Sequence, residues 1–265
     1  MAKRIKICID AGHFGKYNQS KVYPSYYESE MAWKLHLLLK KELEAYGFEV
    51  TLTREYFKDI DLPLDQRGMK SKGCDLFISL HSNACGDESV DRAVVIPYQD
   101  VEWTSIDDTS RAIADKLGAC VKNVMGLSSY QIYPRKAGND RDGNGKLDDE
   151  YYGVLYGARK AGTPGVIVEH GFHTNTKCAK WLSDDANLEK LAKAEAGVIA
   201  DYFGVIKLVI VDNEPSEWSK EAIEWAVKNE ILQGDENGDY KLREPCTTER
   251  FITLLHRALK NNIGE

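Results

Sequence analysis

The 265-residue chain lacks the marks of several protein classes at once. No apolar run approaches the ~20 residues needed to cross a bilayer, so membrane insertion is not expected. Its six cysteines, Cys8, Cys74, Cys85, Cys120, Cys178 and Cys246, are scattered and form no C-x-x-C pair. That argues against a cysteine-based zinc site and against a disulfide framework, and leaves mostly reduced, small, buried side chains. Positive charge is in deficit, with 35 Lys and Arg against 42 Asp and Glu, a formal net charge of −7. A general nucleic-acid binder needs a basic face to neutralise phosphates, so nucleic acid is not an expected partner. There is no H-E-x-x-H helix, no Walker loop, no G-x-S-x-G elbow, and no repeat that would signal a solenoid. The opening residues turn polar at Asp10, too soon for the apolar region of a signal peptide. Synthesis as a soluble cytoplasmic protein is the expectation.

What is present is enough apolar sequence, 43 %, to build a core. Strands and helices alternate along the chain. Arg4 to Ile9 reads as a strand, and Met31, Leu35, Leu38, Leu39, Leu43 and Tyr46 fall on one face of a helix that Gly47 can cap. Phe48 to Thr53 is a second strand. Pro63 starts a short helix, and Asp75 to Leu80 and Arg92 to Pro97 are further strands. Ile113, Leu117, Cys120, Val121 and Val124 mark another helix. Tyr152 to Ala161 reads as a helix leading into the strand Gly165 to Val168. Leu188, Leu191, Glu195, Ile199 and Tyr202 fit a last helix with one polar exception. This order predicts an α/β fold, a twisted and mostly parallel sheet with helices on both faces. After Val205 the pattern changes. Lys207 to Val211 is apolar, a polar break follows around Pro215, and Ser219–Asn229 and Thr247–Lys260 read as helices. The expected organisation is a catalytic domain over 1–205, a linker over 206–215, and a small helical module over 216–265.

Three strand ends carry chemistry. His13 follows the first strand, His81 the third, and Glu169 the strand Gly165 to Val168. Ligands of open α/β sheets bind outside the carboxyl ends of the strands, so these residues share a rim. Glu28 is the fourth piece. Ser25-Tyr26-Tyr27-Glu28 matches S-x-x-E, and Glu28 can simply close a capping box. It also stands three and seven residues before Met31 and Leu35, on the buried face of the helix. From there it can turn toward a metal between His13 and His81. Two imidazoles and a carboxylate with an open fourth position make a catalytic zinc arrangement. Asp10 competes, as a ligand or as an acceptor of an imidazole N–H. Glu30, two residues from Glu28, points elsewhere. His170 and His173 have His-x-x-His spacing and read as loop residues near the site.

Taken in order, Ile9-Asp10-Ala11-Gly12-His13, the helix-leading Glu28, Ser79-Leu80-His81-Ser82-Asn83-Ala84 and Val168-Glu169-His170-Gly171-Phe172-His173-Thr174-Asn175 resemble the zinc-dependent N-acetylmuramoyl-L-alanine amidases of the type-3 amidase family. Thr53-Arg54 and Leu64 to Arg67 fit the same pattern, and the resemblance covers roughly residues 3 to 203. It implies Zn2+ held by His13, Glu28 and His81, with Glu169 as the catalytic acid/base. It also implies bacterial peptidoglycan as substrate, cut at the amide between N-acetylmuramic acid and L-alanine. Ala11 and Phe14 replace the more usual Pro and Gly, and Phe14 is expected to narrow the approach. A stem-peptide zinc peptidase and a catalytically dead wall-binding protein are the alternatives. With no signal peptide, the chain resembles phage or prophage endolysins that reach the wall after release. A sporulation or mother-cell lytic enzyme, a cellular autolysin, is the alternative origin.

Two further segments stand apart. Asp140 to Asp148 matches the first half of an EF-hand calcium loop, but Tyr151 replaces the bidentate Glu and Glu150 falls one place early. Asp140, Asp142, Asn144, the Lys146 carbonyl, Asp148 and Glu150 are the candidate Ca2+ ligands. The competing reading is a solvated, turn-rich insertion. Trp218 to Ala226, Ile231 to Gly238 and Pro245 to Arg257 resemble one S-layer homology module, which implies binding to a secondary cell-wall polymer. The competing reading is a packing or dimerisation appendage. Trp218 and Trp225 share one side of their helix, and core packing is the expected use of both.

Overall fold

The structure is a computed structural model and describes residues 4–57, 61–99, 104–147, 149–206 and 213–262. The chain divides into two compact units between Lys207 and Leu208. The apolar run Lys207–Val211 and Asp148 lie outside the described residues.

The larger unit is built on six strands: β1 (Lys6–Ala11), β2 (Glu49–Leu52), β3 (Leu76–Asn83), β4 (Arg92–Pro97), β5 (Ser129–Ile132) and β6 (Gly165–Phe172). They form one sheet in the order β2-β1-β3-β6-β4-β5. All neighbours are parallel except β4 and β6. The central strands read as near-continuous apolar runs because both of their faces are covered. One face packs Ile7, Ile9, Ile78, Leu80, Val166 and Val168 against α1 (Glu28–Ala45), α3 (Ser105–Met125) and α6 (Asp185–Phe203). The other packs Cys8, Phe77, Val94, Ile96 and Ile167 against α4 (Gly153–Lys160). The short α2 (Leu64–Met69) lies on α4. The expected α/β architecture is therefore the observed one.

Two strands run further than their apolar residues suggested. β3 continues through His81 to Asn83, and β6 continues through Glu169 and His170 to Phe172. Polar side chains at those ends hide the continuation, but pairing between central strands holds it. His81 and Glu169 stand opposite each other in the β3–β6 register. β5 and α5 (Thr176–Leu182) were not expected. β5 is a four-residue edge strand that begins with a serine, and α5 is a seven-residue helix capped by the Asn175 side chain.

The smaller unit contains α7 (Lys220–Lys228) and α8 (Thr248–Asn262). Among its described residues the buried apolar ones are Ile231 and Leu232. The core-packing expectation for its tryptophans is overturned: Trp218 is 90 % exposed and Trp225 51 %. Phe251, Leu255 and Leu259, three of the residues on the apolar face of α8, are exposed as well.

Candidate metal centre

The carboxyl ends of β1, β3 and β6 meet at one rim. β1 ends at Ala11, and Gly12 N–H donates to the Leu80 carbonyl at 3.0 Å, which holds the loop against β3. Only glycine fits there, because an added Cβ would lie 2.5 Å from the His81 ring. His13 follows with φ 61°, a left-handed backbone that is uncommon outside glycine and clusters at functional sites. This turn aims its imidazole back at β3.

Glu28 is the first residue of α1, whose N-cap is Tyr27. No side chain caps that end, so Glu28 does not close a box with Ser25. Its carboxylate is buried and faces His13 Nε2 at 3.0 Å and His81 Nδ1 at 2.8 Å. Asn18 Nδ2 donates to Oε2 at 2.7 Å and the Ser82 N–H to Oε1 at 3.0 Å. Burial alone would push this carboxyl up, but the hydrogen bonds and charges of the two histidines outweigh it and hold it well below the usual range. Burial likewise opposes charge on His81, and Glu28 overrides it to raise the imidazole to about 9.

His13, Glu28 and His81 bring one donor atom each to within 4.8 Å of one another. Two imidazole nitrogens and a carboxylate oxygen, beside an open cavity, suit a divalent cation such as zinc with one position left for water. The cavity is about 380 Å3, and Asp10, Arg67, Tyr152 and Glu169 are among the other residues of its wall. Glu169 turns a buried Oε2 that accepts no hydrogen bond from the described residues. Burial lifts its carboxyl to about 7, with His81 pulling it down and Glu28 pushing it up. A carboxyl poised there can take or give a proton near neutrality.

The competitors are placed elsewhere. Asp10 accepts from Thr53 Oγ1 at 2.6 Å and Ser79 Oγ at 2.7 Å, which engages both oxygens with hydroxyls and leaves it out of the ligand group. Glu30 faces Lys16 at the surface, 4.0 Å away. Phe14 is not among the residues of the cavity wall, and its ring lies 5.7 Å from the Arg54 guanidinium.

His170 and His173 are not open loop residues. His170 lies within β6, fully buried, with Nδ1 2.8 Å from the His81 carbonyl and Nε2 2.9 Å from Glu195 Oε1. The one polar exception on the last helix is thus the partner of a histidine behind the site. His173 is buried beside Ser82 Oγ at 2.9 Å, and Tyr26 meets the same oxygen at 2.6 Å. This chain braces the residue whose N–H holds Glu28. Asn18 is the site residue that sequence reasoning missed; it sits in a loop at φ 54°, and no spacing marks it.

Residues 7–201 match the family model described as N-acetylmuramoyl-L-alanine amidase. The chain belongs to this family of amidases. Over 205 residues it is 22 % identical to the N-acetylmuramoyl-L-alanine amidase CwlM of Bacillus licheniformis, covering 77 % of this chain and 70 % of that one. The catalytic domain of CwlV from Bacillus (Paenibacillus) polymyxa var. colistinus shares the fold at a TM-score of 0.60 and 22 % identity, covering 76 % of this chain and 99 % of that one. The CwlD amidase of Clostridioides difficile, solved in complex with the GerS lipoprotein, matches at a TM-score of 0.60 and 23 % identity over the same shares.

Proposed function

We propose that the protein is a zinc-dependent hydrolase of the amide between N-acetylmuramic acid and L-alanine in peptidoglycan. The observation that supports this most is the convergence of His13, Glu28 and His81 beside the free carboxylate oxygen of Glu169 in a member of the amidase family. Zinc held by those three side chains would supply a Lewis acid and a water of lowered pKa. Glu169 takes the proton of the attacking water and returns it to the leaving amine. Asn18 and the Ser82 N–H hold the Glu28 carboxylate in place, which orients both imidazoles. Digestion of purified walls is the test. Free L-alanine amine with no new reducing sugar is the expected result. New amino groups at other stem residues would point to the peptidase reading, and unchanged wall turbidity to an inactive wall binder.

The role is that of an endolysin or autolysin acting on the bacterial wall. The smaller unit, with Trp218 and Trp225 open to solvent, serves as the wall-binding module, for an exposed aromatic face can stack on a sugar. A chain ending near Val205 is expected to keep its activity on soluble muropeptide and to bind intact walls less well. A fluorescent fusion of the smaller unit is expected to decorate target cells. Failure to bind, together with a full-length dimer that the truncation abolishes, would make the unit an assembly element instead.

The acidic loop supports a narrower calcium reading than its sequence did. Asp140, Asp142 and Asp149 bring carboxylate oxygens together. Glu150 is a correction: its side chain is buried away from them, 2.9 Å from Arg159 Nε and 3.2 Å from the Gln99 N–H. Burial raises that carboxyl to about 7 against the pull of Arg159. Millimolar calcium is expected to raise the melting temperature without changing turnover. An unchanged melting scan would leave the loop a solvated insertion.

A further inference from the structure

The last helix, α8, turns its polar side inward. Arg250, Leu254 and Arg257, at i, i+4 and i+7, are half-buried. Arg250 donates to the Tyr240 carbonyl and to the Lys241 carbonyl, the latter at 3.4 Å. Arg257 Nη1 donates to the Ile231 carbonyl at 3.2 Å. Both guanidiniums thus tie α8 to the backbone of the segments that precede it. The outer side is apolar. Phe251, Ile252, Leu255 and Leu259 fall within about 100° of one another around the helix axis. They are 46–59 % exposed.

An amphipathic helix ordinarily lays its apolar stripe on the body it packs against. Here the stripe faces away, in a unit whose buried apolar residues, among those described, are Ile231 and Leu232. A unit of this size rarely closes a sufficient core by itself. The stripe is therefore surface that a partner can complete.

Its size and chemistry select the partner. At these exposures the four side chains offer on the order of 400 Å2 of apolar surface, and a standard interface takes ~800 Å2 from each partner, a little over half of it apolar. A glycan or an anionic polymer would leave Ile252, Leu255 and Leu259 without apolar cover. The same stripe on a second copy covers all of them.

Charge selects the direction. Glu249 is in the first turn of α8 and Lys260 in the last. They lie close to three turns apart, so both stand on one flank of the stripe. In an antiparallel pair centred on Leu255, Phe251 of each copy meets Leu259 of the other. Like flank then meets like flank, and Glu249 of each copy comes alongside Lys260 of the other. A parallel pair would bring the two glutamates level with each other, and the two lysines likewise.

We propose that the outer face of α8 is covered by α8 of a second copy of this chain, the two helices running antiparallel about a two-fold axis at Leu255. Trp218 and Trp225 lie outside this helix and stay available to the wall. The pair carries two of the smaller units, and a second attachment raises retention on a polymeric surface without any new contact.

The mass of the full-length protein in solution, followed by light scattering across a micromolar concentration series, tests the proposal. The expected mass is twice the 29.9 kDa of the chain. Leu255→Lys sets two like charges against each other on the two-fold axis and is expected to give a monomer with unchanged helical circular dichroism. The rim charges give a second measurement that does not depend on how that variant folds. Glu249→Lys and Lys260→Glu, each alone, are expected to weaken the dimer about tenfold, because each creates a like-charge pair at both ends. Combined in one chain they restore the opposite-charge pairs and are expected to restore the dimer. A wild-type protein that stays monomeric, a trimer, or a dimer that survives Leu255→Lys overturns the proposal. Failure of the double exchange to recover what either single exchange loses overturns the antiparallel arrangement.

Discussion

Replacing His81 by alanine is expected to remove bound zinc and wall-lytic activity together. The imidazole is one of three donors, and only His13 and Glu28 would remain. Outer partners of metal ligands alone are typically worth ~10–100-fold, so loss of a ligand is expected to cost more than about a hundredfold in activity. The side chain also carries Glu28. Without it, Oε1 of a buried carboxylate keeps only the Ser82 N–H, so the remaining ligand loses its orientation as well. Metal analysis of the purified variant, with circular dichroism to show that the sheet persists, reads the effect directly. Full zinc occupancy in both His81→Ala and Glu28→Ala proteins would falsify the ligand set.

Glu169→Gln is expected to separate chemistry from metal. Glu169 is not among the grouped donors, so zinc content should match the wild type. Turnover should fall by ~10²–10⁴-fold, the usual worth of a general acid/base. The amide fills the same space and has no basic oxygen to accept a proton at neutral pH. The pH profile carries a second signature. Glu169 must be ionised to act as base, so the rate falls on the acid side as the carboxyl gains its proton. Burial sets that point at about 7, and a dication in the adjoining site moves it lower. The acid limb therefore lies at or below pH 7, and Glu169→Gln should abolish it. Near-normal lysis by this variant would move the acid/base role to another residue.

The sheet and the main site candidates were legible because they depend on local pattern. Apolar runs and helix-period faces are written residue by residue, and the rim of an α/β sheet then says where a histidine at a strand end must go. Glu28 was half legible: the helix face was readable, but ligand and capping box share one spacing. What stayed hidden is what distant residues do to each other. Nothing near His170 announces that Glu195 will meet it from α6, and nothing near Asn18 announces that it will brace Glu28. Glu150 and Asp149 are neighbours in an acidic loop, yet one turns inward to Arg159 and the other toward Asp140. The tryptophans of the smaller unit failed for a different reason. Composition says that a small unit needs large side chains in its core, but it does not say which ones are used there.

The facing positions of His81 and Glu169 on two adjoining central strands tie the chemistry to the parity of those strands. Side chains alternate between the faces of a sheet, so adding or deleting one residue between Phe77 and His81 would swing the imidazole to the opposite side. The loops around the rim can lengthen or shorten without disturbing the distance between ligand and base. The strands cannot, even by one residue.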